Sequence, residues 1–117
     1  DSFLIINPNN DSLSYLASPI TGAGKWRGGS IGVDGEIYTF PADTGILVKL
    51  NPNTNTFNII NFTVSGSTAN KWGDGVLGAD GKFYLIPHTQ NNMLIIDPIP
   101  NGRICDSILL SSYFNRY

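Results

Sequence analysis

Hydrophobic positions in this chain come in short runs separated by glycine, proline, asparagine and aspartate. No run keeps helical spacing beyond about two turns before glycine, proline or a β-branched residue interrupts it. Residues 29–33 and 75–79 alternate small with apolar side chains, the pattern of a strand whose glycines admit a neighbouring backbone at close range. Each is followed by Asp-Gly, at Asp34-Gly35 and Asp80-Gly81, and then by a second apolar run at 36–40 and 82–86. Asp-Gly between two such runs predicts a hairpin turn of type I′, with positive φ at both central residues. Pro41 and Pro87 close the second run, because proline cannot donate to a ladder. A third run, 46–50 and 93–96, is nearly continuously apolar, as in a strand covered on both faces. Beyond the turn-forming segments 51–55 and 98–102, a fourth strand begins around Phe57 and Ile59, and again around Ile104 and Ile108.

These runs are one unit written twice. Lys25-Trp26, Gly29, Gly32, Asp34-Gly35, Tyr38, Pro41 and Pro52 return as Lys71-Trp72, Gly75, Gly78, Asp80-Gly81, Tyr84, Pro87 and Pro98, each 46 residues later. That period, filled by four short strands, suits a β-propeller blade. Leu4-Ile5-Ile6-Asn7-Pro8 aligns with Val48-Lys49-Leu50-Asn51-Pro52 and with Leu94-Ile95-Ile96-Asp97-Pro98, while Asn115-Arg116-Tyr117 resembles Asn70-Lys71-Trp72. The organisation expected is therefore all-β, with about two and a half four-stranded antiparallel blades: residues 1–24 the second half of a blade, 25–70 and 71–114 complete blades, and 115–117 the start of a further blade or a tail. The unit Lys-Trp-x-x-Gly-x-x-Gly-x-Asp-Gly-x-x-Tyr-x-x-Pro resembles propeller blades of the class that includes NHL, YVTN and SMP-30-like repeats. It most resembles the tandem Trp-Gly-Gly, Asp-Gly-Lys-Ile-Tyr repeats of bacterial and protist propeller proteins. The resemblance implies a fold and carries no activity with it.

Propellers close with roughly 4 to 8 blades, so the partners expected are further blades, from the same polypeptide or from other copies. The leading half-blade, residues 3–7 and 13–16, would then pair with inner strands of a neighbour, shielding edges that otherwise invite aggregation. A start at Asp1-Ser2-Phe3 without an initiator Met is the pattern of a processed or partial chain. Tyr38 and Tyr84 are expected in the core.

Charge narrows the partners. Only 14% of the 117 residues are charged, the formal net charge is −2 and there is no basic run, so the footprint of a nucleic-acid or anionic-membrane binder is missing. No apolar run approaches the roughly 20 residues of a membrane-spanning helix. The single Cys105 rules out a disulfide or a cysteine metal cage within one chain and reads as a small buried strand residue. Two glycosylation triplets, at Asn10 and Asn61, matter only if the chain enters a secretory route, which leaves localisation unassigned with a slight lean to secretion or the cell surface.

The search for chemistry returns mostly negatives. His88 is the only histidine, and no nucleophile sits in an activation motif, so neither a catalytic constellation nor a metal or cofactor is expected. Gly22-Ala23-Gly24-Lys25-Trp26 fails as a phosphate loop, since Pro19 stands in place of the first glycine and Trp26 in place of Ser or Thr. Asp34 and Asp80 lack the spaced carboxylates of a calcium loop and read as turn formers. Topology offers a better candidate surface. The loop entering the first strand and the loop joining the second to the third emerge on one face of a blade. Trp26, Arg27 and Asp43 would there neighbour Trp72, Asp74, His88 and Gln90. Such a surface could stack a sugar ring or dock a peptide; the plainer reading is that both tryptophans wedge between blades. The function expected is a non-enzymatic structural or protein-interaction scaffold. The alternative is an extracellular, lectin-like glycan-binding module, and third comes part of a propeller enzyme.

Overall fold

The computed structural model describes residues 1–61, 69–98 and, for the backbone alone, 103–109. Among the described residues ten strands are formed: β1 (Ser2–Asn7), β2 (Ser12–Ala17), β3 (Trp26–Ile31), β4 (Ile37–Pro41), β5 (Ile46–Asn51), β6 (Thr56–Asn61), β7 (Trp72–Leu77), β8 (Phe83–Pro87), β9 (Asn92–Asp97) and β10 (Arg103–Leu109). They form a two-stranded sheet, β1-β2, and two four-stranded antiparallel sheets, β3 to β6 and β7 to β10, each a meander in chain order. The architecture is all-β, as the alternation predicts.

Both first strands begin earlier than the alternation marks. A register irregularity lies between Trp26 and Gly29, and another between Trp72 and Asp74; each sets the tryptophan opposite the proline that closes the second strand. Irregularities of this kind bend a strand and re-aim its side chains. A further register shift between Ile104 and Asp106 leaves Cys105 without a partner on β9; its side chain lies outside the described residues.

The Asp-Gly hairpins form, but not as type I′ turns. Gly32 N donates to Glu36 O at 2.8 Å and Gly35 N to Gly32 O at 3.0 Å, enclosing a three-residue loop in which only Gly35 has positive φ, +81°. This is a tight turn followed by a left-handed glycine. The Asp34 carboxylate explains the choice: its Oδ1 accepts the Glu36 amide at 3.1 Å, and its Oδ2 accepts the Tyr38 hydroxyl at 2.7 Å. The second copy repeats this, with Asp80 accepting from Lys82 N at 3.1 Å and from Tyr84 Oη at 2.5 Å, and Gly81 at +83°.

The outer turns also match. Asn7 Oδ1 accepts Asn9 N at 3.0 Å and Asn51 Oδ1 accepts Asn53 N at 2.9 Å; both loops end on a left-handed residue, Asp11 and Asn55. Such side-chain caps pre-form a turn and set register. β1-β2 is thus built on the same plan as β5-β6. Most of the third such turn, from residue 99, lies outside the described residues.

The core lies between sheets rather than within one. Tyr38, Phe40 and Leu47 from the first four-stranded sheet meet Trp72, Phe83, Leu85, Leu94 and Ile96 from the second, all of them buried. Phe83 sits 5.2 Å from the Tyr38 ring and 5.5 Å from the Phe40 ring. Burying each of these large side chains contributes about 1.5 to 3 kcal/mol. A Cβ on Gly75 would lie 3.0 Å from both the Phe40 ring and Leu85, so glycine lets the inner strands of neighbouring sheets approach. A second seam is made by Phe3, stacked 5.4 Å from Trp26 and tilted against Phe57 at 5.5 Å. Of the two tyrosines expected in the core, Tyr38 is fully buried and Tyr84 half-buried.

Candidate functional site

The loops ahead of β3 and β7 and the β4-β5 and β8-β9 loops converge on one face, and their backbone is stitched by repeated bonds. Ala42 N donates to Lys25 O at 2.8 Å and Asp43 N to Gly24 O at 3.1 Å; one repeat later, His88 N donates to Lys71 O at 2.9 Å and Thr89 N to Asn70 O at 3.2 Å. Between blades, Lys71 N donates to Ala42 O at 3.0 Å, Asn70 N donates to Asp43 Oδ1 at 2.7 Å and Lys71 Nζ donates to Asp43 O at 3.0 Å. Asp43 is thereby a clasp between the two sheets. Buried Lys71 is held over backbone carbonyls.

The tryptophans are wedges. Trp72, 1% exposed, donates its indole N–H to Asn92 O at 3.0 Å; Trp26, half-buried behind Phe3, donates its own to Ile46 O at 3.3 Å. A buried indole satisfied by a strand carbonyl contributes area and register. Lys25 Nζ lies 5.3 Å from the Trp26 ring and bonds Asp1 Oδ1 and Gly22 O. The remaining candidates are more open. Arg27 and His88 are exposed, Gln90 is half-buried with its backbone N–H donating to Lys71 O at 3.4 Å, and exposed Asp74 caps its own strand by accepting the Gly75 amide at 2.8 Å, beside Gly28. Asp43 is thus brought to Asn70 and Lys71, while each indole is bonded to a carbonyl of its own sheet. Asn10 sits exposed on its turn, its side chain accepting the Ser12 amide, and exposed Asn61 ends β6; the rest of the Asn61 triplet lies outside the described residues.

Sequence reading passed over a charged cluster at the other end of the strands. Lys49, 5% exposed, lies 3.1 Å from Asp34 Oδ2 and 3.4 Å from Glu36 Oε2, with its ammonium 5.5 Å from the Tyr38 ring; the Tyr38 hydroxyl also reaches Pro98 O, in the next blade, at 3.4 Å. Burial would raise the Asp34 carboxyl, but hydrogen bonds from Tyr38, Lys49 and the Glu36 amide outweigh it and hold the group below its ordinary value. Burial, then the bond to Asp34, pushes the Tyr38 phenol up. The available signal was a break in the repeat: the positions equivalent to Lys49 carry Ile5 and Ile95. Among the described residues, no group of three His, Cys, Asp or Glu is placed to hold a metal ion, and no helix is long and apolar enough to cross a membrane.

No family model and no curated protein sequence matches the chain. Among solved structures it is similar to a catalytically inactive variant of virginiamycin B lyase from Staphylococcus aureus, determined with quinupristin: 16% identity, a TM-score of 0.66, and coverage of 88% of this chain. The match takes in 32% of the lyase, so this chain spans about a third of that protein. At that identity the likeness speaks for the fold alone. Taken with the two meandering sheets, their radial core and the half-sheet stacked beside them, it makes this chain a set of β-propeller blades.

Proposed function

We propose that the chain belongs to a non-enzymatic propeller, built from blades of the NHL, YVTN and SMP-30-like kind, that serves as a structural or protein-interaction scaffold. The observation that carries this reading is the employment of the candidate surface. Trp72 is inside the seam, Asp43 clasps Asn70, and Lys71 holds the carbonyls of the preceding blade. These groups support neighbouring blades rather than converge on a ligand. The protein named above is a lyase, and catalytic groups gathered from several blades would be the rival reading.

Three measurements on the purified protein test this. Asp43→Ala is expected to lower stability by about 0.5 to 1.5 kcal/mol, through loss of the bond to the Asn70 amide. A glycan array is expected to stay at background, and quinupristin should be recovered with an unchanged chromatographic profile. Glycan binding abolished by Trp26→Ala would replace the scaffold with a lectin, and quinupristin turnover would replace it with an enzyme.

A further inference from the structure

An aspartate followed by glycine carries an intrinsic reactivity, because the glycine amide nitrogen can reach the aspartate side-chain carbon with no Cβ in the way. Three such pairs lie among the described residues: Asp34-Gly35, Asp74-Gly75 and Asp80-Gly81. Exposure does not separate them, since all three aspartates are exposed. Hydrogen bonding does. In the two hairpin turns the carboxylate reaches past the glycine, to the amide two residues on and the tyrosine four residues on. The glycine amides are committed elsewhere, Gly35 N donating to Gly32 O and Gly81 N to Gly78 O, both at 3.0 Å. Nucleophile and electrophile are thereby held apart in each turn.

Asp74 is arranged the opposite way. Its Oδ1 accepts the amide of the very next residue, Gly75, at 2.8 Å. The nitrogen thus lies against the carboxyl group, at about the 3 to 3.5 Å of a near-attack geometry. Two features of the fold provide for this. A register irregularity, of the kind that re-aims side chains, lies between Trp72 and Asp74. A Cβ on Gly28 would stand 3.0 Å from Asp74 Oδ1, so glycine in the preceding blade leaves the carboxylate its room. The position equivalent to Asp74 one repeat earlier is Gly28 itself, which makes the pair a departure from the repeat.

We propose that Asp74-Gly75 is a self-modifying site, at which the backbone of β7 converts to isoaspartate through a succinimide. Gly75 N attacks Asp74 Cγ; the N–Cγ bond forms, the bond from Cγ to its hydroxyl breaks, and the amide proton leaves with that hydroxyl as one water. Water then adds to either carbonyl of the five-membered ring. Cleavage of the N–Cγ bond restores aspartate, whereas cleavage of the bond to the main-chain carbonyl leaves the chain running through Cβ and Cγ. The two steps lose and regain one water and need no other reactant. The product lengthens the main chain by a methylene beside Gly75, where even a Cβ would press on Phe40 and Leu85 at 3.0 Å, so the change falls in the seam between the sheets.

This inference stands on the geometry of β7 and not on the scaffold reading, so a lectin or an enzyme would leave it intact. The purified full chain is aged for weeks at neutral pH, once folded and once in urea. Peptides carrying each pair are then scored for isoaspartate by enzymatic carboxyl methylation and by chromatographic splitting at equal mass. Asn101-Gly102, outside the described residues, would lose ammonia and change mass, so it is counted apart. In the folded chain isoaspartate at Asp74 is expected about tenfold ahead of that at Asp34 or Asp80, and in urea the three should form at comparable rates. A folded chain in which Asp34 or Asp80 leads, or in which no pair exceeds the others, overturns the proposal. So does a lead of Asp74 that persists undiminished in urea, which would trace it to local sequence rather than to the fold.

Discussion

Two tyrosines at equivalent positions separate what the repeat dictates from what a neighbour adds. Both donate to the aspartate four residues earlier, but Tyr38 is fully buried under Phe83 and also reaches Pro98 O, while Tyr84 is half-buried. Tyr38→Phe should cost about 1.5 to 3 kcal/mol, the range for a hydrogen bond to a charged group, and Tyr84→Phe distinctly less, as read by urea denaturation. Equal losses would mean that the seam adds nothing to the turn. Tyr38→Ala, which empties a core position, should cost about 3 to 5 kcal/mol. Asp34 carries the pH dependence of the same cluster. The folded Asp34 titrates below its ordinary 3.8, so its contribution is full above that value and fades as pH falls through the folded pKa. Lys49→Met removes the cation from Asp34 and Glu36 and should destabilise by about 1 to 3 kcal/mol near neutrality. That deficit should shrink below about pH 4, where the stranded Asp34 carboxylate protonates. A deficit constant from pH 7 to pH 3 would detach Lys49 from its carboxylates. The turn role of Asp34 was legible from Asp-Gly alone. Lys49 was legible only as a charge in an apolar register, because its partners come from a turn whose geometry the sequence does not print.

Hairpins β3-β4 and β7-β8 show the same limit at the scale of the element. Alternation and Asp-Gly place the strands, yet they do not choose between a two-residue and a three-residue loop. The choice falls to the aspartate, which binds the returning strand through both the amide two residues on and the tyrosine four residues on. The early start of β3 and β7 was hidden for a related reason: a register irregularity breaks the alternation by which a strand is recognised. Glycines in one hairpin then divide by what constrains them. A Cβ at Gly29 would meet the Tyr38 carbonyl at 2.7 Å, backbone that cannot step aside, whereas Gly35 has nothing within 4 Å and only its +81° φ to defend. Gly29→Ala should therefore cost about 1 to 3 kcal/mol by overpacking, and Gly35→Ala about 1 kcal/mol from the left-handed backbone. The reverse order in denaturation midpoints would shift the constraint from the ladder to the turn.

For the molecule as a whole, stacking sheets in a row leaves an elongated body, 53 × 31 × 23 Å with a radius of gyration of 15.0 Å, against about 13 Å for a compact chain of this size. The repeat made the radial stacking legible, because apolar runs on both faces of a strand require a sheet on each side; the closeness of Phe40 to Gly75 was foreshadowed only by the glycine. Among the described residues, one end of this row carries exposed apolar side chains. On the outer face of β1-β2, Leu4, Ile6, Leu13 and Tyr15 are 52, 60, 59 and 72% exposed. Register sets Leu4 opposite Tyr15 and Ile6 opposite Leu13, so the four form one patch. Its counterpart one repeat on, Val48, Leu50, Phe57 and Ile59, is the surface on which Phe3 packs, and there Val48 and Leu50 are buried. An apolar face of that construction, left in water, binds hydrophobic dye and promotes association. The chain should therefore enhance anilinonaphthalene sulfonate fluorescence and show concentration-dependent sedimentation. The paired change Leu4→Lys with Leu13→Lys should suppress both while leaving the Trp26 environment, on the opposite face, unaltered. A wild-type chain that neither binds dye nor associates would mean that this face is already covered, and that the seam between blades is not the unit from which the molecule is built.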